Sequence, residues 1–70
     1  MFKYRIDRIP KPKLMPEVIR GSDTLIHAGD EYKRVWQTFH TYRPEQGEIL
    51  TLSVWYEDLQ AYKPHHWIDP

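Results

Sequence analysis

Apolar and polar positions alternate from the start of the chain: Phe2, Tyr4 and Ile6 alternate with Lys3, Arg5 and Asp7. A period of two predicts a half-buried strand over residues 1–9 with a charged outer face. Those charges suit an edge strand that must avoid pairing with other chains. The longest β-favouring stretch runs from Glu31 to Glu57. Val35, Trp36, Thr38, Phe39, Thr41 and Tyr42 suit a pleated, half-buried surface, as do Ile49, Thr51, Val54, Trp55 and Tyr56. Between the two runs, Pro44 presets φ for a turn and Gly47 can take the left-handed conformation that ends it. The expected centre of the fold is therefore a long hairpin over 31–57.

With Pro44–Gly47 as its loop, Arg43 faces Glu48, Phe39 meets Leu52 and Val35 meets Tyr56 on one apolar face. Trp36 and Trp55 then pair on the other face, beside Thr38, Ser53, His40 and Thr51. A loop one residue longer would turn Trp36 into the core, because a one-residue slip moves a whole set of side chains. The four-residue loop is preferred, since it seats proline and glycine where the turn wants them.

The flanking segments are shorter. Pro10, Pro12 and Pro16 end the first strand, and PKPKLMP (10–16) reads as an extended, solvated linker with Leu14 and Met15 as anchors. Glu17–Arg20 and Thr24–Ala28 are short strand candidates around a turn at Gly21-Ser22-Asp23. Gly29-Asp30 is a two-residue loop into the long strand. EDLQAY (57–62) can form one helical turn that Pro64 closes, and His65–Ile68 is a final strand or a docked tail. The predicted fold is mainly β: one domain over residues 1–70, with a β body from residue 17. It is either an antiparallel meander of five or six strands, or an SH3-like or OB-like barrel that hides its edges.

Composition sharpens this picture at three points. A chain of 70 residues buries only roughly 60% of its unfolded surface, so the core is small. It has no cysteine to staple it, and ten aromatic residues supply much of the burial instead. Net charge is zero, but residues 1–20 carry +4 and residues 21–70 carry −4. Such a basic arm can hold a polyanion, fold back on its own acidic body, or meet the acidic body of a second copy. There is no secretory h-region and no apolar run of membrane-spanning length, so the expected setting is the cytoplasm, without a membrane partner.

Catalytic chemistry finds little support. Three widely spread glycines make no phosphate loop, and Ser22 and Ser53 lack any context that would place a base beside them. The acidic pairs Asp30-Glu31 and Glu57-Asp58 would need a cleft that gives them different environments. His65, His66 and Asp69 lie close together, and His27 or His40 could join them in space. Neighbouring strand residues point to opposite faces, however, and the spacing fits no zinc pattern. No cofactor, metal or enzymatic activity is expected.

The aromatic and basic residues carry the functional expectation. Trp36, Trp55, Tyr42, Arg43, Arg5, Arg8 and Lys11 are the candidate binding residues, with Tyr4 beside them. Trp, Tyr and Arg dominate protein interfaces. Aromatics flanked by basic residues also stack on unpaired bases. IDRIPKP (6–12) and HHWIDP (65–70) resemble the paired RLP-x-P and HWMPLP signatures of a small prophage-encoded family of unknown function. This chain lacks that family's opening Trp and the glycine after its second Pro, and its closing motif is altered. The resemblance implies a phage or mobile-element origin and no particular activity. The expected function is a small non-enzymatic protein-binding module, a phage-type accessory protein acting by occlusion. The alternative is a small nucleic-acid-binding protein using the basic arm and the aromatic face. Homo-oligomerisation fits either reading.

Overall fold

The computed structural model describes residues 1–20 and 23–70, so Gly21 and Ser22 of the expected turn lie outside the described residues. The chain forms β1 (Tyr4–Pro10), β2 (Thr24–Gly29), α1 (Tyr32–Phe39), β3 (Glu48–Tyr56) and β4 (Ala61–Ile68). The strands make one open sheet in the order β2-β1-β3-β4, every neighbouring pair antiparallel. The mainly β expectation holds in its antiparallel-sheet form. Barrel closure is not found among the described residues.

The central hairpin over 31–57 is not formed. Its second arm is β3, but its first arm is α1. Tyr32, Val35, Trp36 and Phe39 fall at i, i+3, i+4 and i+7, which is one stripe of a helix. Val35 and Phe39 are buried against Ile6, Leu50 and Leu52, so burial overrides their β propensity. Full burial of each such side chain contributes about 1.5–3 kcal/mol. The helix needs that contribution: it is eight residues long, and Glu31 at its N-cap makes no side-chain capping bond. The turn chemistry before β3 was legible. Glu48 N donates to Glu45 O at 3.0 Å, and Gly47 takes φ 86°.

β1 is an interior strand rather than an edge. It pairs with β2 on one side and β3 on the other, and Ile6 and Asp7 are fully buried. At 57–62 there is no helical turn. Residues 57–60 form a tight turn with Gln60 at φ 49°, and β4 follows at once. Pro64 lies inside β4, where an edge position tolerates its missing amide. His65 is the extra residue of a bulge there, because Leu52 pairs with His66 and Ser53 with Pro64.

Alternation along the strands gives the sheet two distinct faces. Ile6, Leu50 and Leu52 point toward α1. Asp7, Ile9, Ile49, Thr51 and Ser53, one residue out of step, point the other way and are buried as well. Segment 11–20 lies on that second face. Ile19 is buried and its amide donates to Tyr62 O at 2.8 Å, while Pro12 and Met15 line a small pocket with Ile49 and Trp67. The expected solvated linker is therefore a strap. Leu14, at 86% exposed, is not one of its anchors, and Glu17–Arg20 forms no strand.

Candidate functional site

The seven candidate binding residues do not converge. Trp36 sits on α1, on the helix side of the sheet. Trp55 is out of step with Leu52 on β3 and points to the strap side, where its ring edge meets Tyr62 at 5.1 Å. Its indole Nε1 donates to Glu57 Oε2 at 2.7 Å. Tyr42 and Arg43 are exposed just after α1, and Arg43 Nη1 donates to the carbonyls of His40 and Tyr42 at 3.1 and 3.0 Å.

The basic arm folds onto its own body. Arg5 grips Asp7 in a bidentate pair, with Nε to Oδ1 at 2.7 Å, and its guanidinium lies over the Tyr62 ring at 5.2 Å. Arg8 faces Glu45 at 4.0 Å and Lys11 faces Asp69 at 3.7 Å. The last contact joins segments 6–12 and 65–70, whose Lys11, Pro12, Trp67 and Asp69 line one shallow pocket.

Burial and pairing set the ionisation of these groups. Burial pushes the Asp7 carboxyl above the usual carboxylate range, against the opposing pull of Arg5. The hydrogen bond to Asp7 holds the Arg5 guanidinium even more firmly charged than usual. Burial also raises the Tyr62 phenol, again opposed by Arg5. Glu57 is held below its ordinary range by the Trp55 indole and then by Gln60. These are structural ties.

The more open arrangement is on the helix side. α1 packs mainly on β2 and β1 and less on β3, while Val54 and Tyr56 farther along β3 are half-buried and Lys63 on β4 is exposed. Trp36 forms the wall of the resulting shelf. Its ring stacks on Tyr32 at 5.9 Å and meets the edges of His40 at 4.4 Å and His66 at 4.9 Å. Tyr4 continues the row, 5.3 Å from Tyr32. On the floor, Val54 and Tyr56 follow Leu52 in alternation, and Lys63 is the register partner of Val54. Lys63 Nζ sits over the Tyr56 ring at 5.7 Å, and Tyr56 Oη is 2.8 Å from His65 Nε2.

Trp36 and Tyr4 were legible as candidates, but Tyr32, Tyr56, Lys63 and His66 were not. The 32/35/36/39 spacing would have revealed α1 and turned Tyr32 and Trp36 toward one flank. The bulge that seats His66 has no signal beyond Pro64. Among the described residues no three His, Cys, Asp or Glu side chains gather as a metal site, and no helix is long and apolar enough to cross a membrane. Comparison with protein-family models, curated proteins and solved structures gave no match.

Proposed function

We propose that this chain is a small non-enzymatic protein-binding module that occludes a surface of its partner, and that the shelf around Trp36 is its contact surface. One observation carries this reading: a ring stack, Tyr32 on Trp36, is held half-open at the seam between helix and sheet. Rigid aromatics of this kind supply large contact area at little entropic cost, and they anchor interfaces when their rims exclude water. The nucleic-acid alternative is weakened because Arg5, Arg8 and Lys11 each face a carboxylate of the same chain. A cytoplasmic setting belongs to the same proposal and fits a chain without cysteine. The phage or mobile-element origin rests on the two segments that Lys11 and Asp69 bring together.

Tyr32→Ala tests the proposal, because Tyr32 is 43% exposed and its loss leaves the core intact. Immobilised wild-type protein is expected to retain a partner that Tyr32→Ala releases, while both proteins give the same circular dichroism spectrum. Equal retention by the two would place the contact surface elsewhere.

A further inference from the structure

We infer that the shelf is built for an acidic peptide segment carrying an aromatic or apolar anchor. The inference rests on the binding-module reading and names the chemistry of its partner. Two lysines border the shelf. Lys63 lies on its floor, over the Tyr56 ring. Lys33 lies one turn before Trp36 on the neighbouring stripe of α1. Neither lysine has an ion-pair partner among the described residues, a state they share with Lys3, Lys13, Arg20 and Arg43.

Of the carboxylates near this surface, Asp58 lies in the 57–60 turn at the end of the floor, and three others are engaged by neighbouring groups. Glu31 faces Arg34 on the far flank of α1, Asp30 accepts from the Lys3 amide at 2.9 Å, and Glu57 is tied to Trp55 on the strap side. Two lysines thus stand beside aromatic rings at this surface. Ammonium groups next to rings suit carboxylates joined to flat or apolar side chains, because the lysine takes the charge while the ring takes the anchor. His66 adds an imidazole N–H donor at the inner end of the shelf. Two lysines are too few to track a phosphate backbone, which takes several contacts to hold. A peptide with one or two carboxylates matches the supply.

The experiment uses the full chain and a random Glu–Tyr copolymer as probe, with a Lys–Tyr copolymer and an oligothymidylate as comparisons. Binding is read by anisotropy of the labelled probe at about 50 mM salt, where screening is still modest. The Glu–Tyr copolymer is expected to bind, and the Lys–Tyr copolymer to bind at least about tenfold more weakly. Lys63→Glu, an exposed change, should weaken Glu–Tyr binding about tenfold, which is about 1.4 kcal/mol. Lys33→Glu should weaken it in the same direction. Tighter binding to oligothymidylate, or Glu–Tyr binding indifferent to both substitutions, would overturn the inference. No Glu–Tyr binding, combined with a partner that Tyr32→Ala still releases, would overturn the acidic assignment alone and leave the binding module standing.

Discussion

Removing Arg5 should produce a stability defect that acid repairs. Asp7 is fully buried, while the Arg5 side chain is 17% exposed. Breaking a buried ion pair by deleting one partner costs about 3–5 kcal/mol, because the other charge is stranded. For a chain of 70 residues the total stability is roughly 3.5–10 kcal/mol, so Arg5→Met removes a large share of it at pH 7. Burial already raises the Asp7 carboxyl, and losing Arg5 raises it further.

A group whose folded pKa lies above its unfolded value contributes stability that is complete below the unfolded pKa and is lost as pH rises through the folded one. Arg5→Met should therefore regain stability, relative to wild type, as pH falls from 7 toward the ordinary carboxylate range. The gain is at most about 1.4 kcal/mol per pH unit, or ~2.7 kcal/mol between pH 7 and 5. The double variant Arg5→Met/Asp7→Leu removes both charges and should lie close to wild type, with no such pH dependence. The assay is urea unfolding of the wild type and both variants at the two pH values. A cost under about 0.5 kcal/mol for Arg5→Met at pH 7, or a cost that does not shrink at pH 5, would refute this account of the buried pair.

Two further outcomes follow from local geometry. Thr38→Ala should stabilise the protein by a few tenths of a kcal/mol, because Thr38 sits in α1 with its hydroxyl bonded back to Arg34 O at 2.9 Å, and alanine is the better helix former. Thermal unfolding checks it, and a destabilisation would favour a strand at that position, where threonine is the better residue. Glu57, held below its ordinary range by the Trp55 indole and Gln60, contributes stability that is present above its unfolded pKa and lost as pH falls through the folded one. Trp55 fluorescence, isolated by replacing Trp36 and Trp67 with phenylalanine, should therefore titrate below about pH 4.3, and a midpoint above that value would contradict the indole–carboxylate bond.

The strands were largely legible because their signals are local. Alternation announced β1, a compact apolar run bounded by turn residues announced β2, and the Gly47 turn fixed the start of β3. Position within the sheet was not legible. The charges of Arg5 and Asp7 looked like edge protection, yet they neutralise each other beneath the strap and let β1 run through the middle of the sheet. The strap itself hid behind its prolines, which read as solvated until Ile19 and Met15 meet the sheet. At residues 32–39 two signals conflicted. Trp, Thr and Phe favour a strand, but their spacing favours a helix. The sheet needed a cover for Ile6, Leu50 and Leu52, and spacing prevailed. That one misreading displaced the candidate site, because it put Trp36 and Trp55 on one face when the sheet separates them.

That separation makes the three indoles independent reporters. Trp36 faces the helix side, whereas Trp55 and Trp67 belong to the strap side. The most direct measurement is a ¹H–¹⁵N correlation titration of the full chain with the Glu–Tyr copolymer, followed at the three indole Nε1–H resonances. The Trp36 resonance should shift together with the amides of Tyr32, Tyr56 and Lys63, while those of Trp55 and Trp67 stay in place. Shifts confined to Trp55 or Trp67 would contradict the shelf as the contact surface.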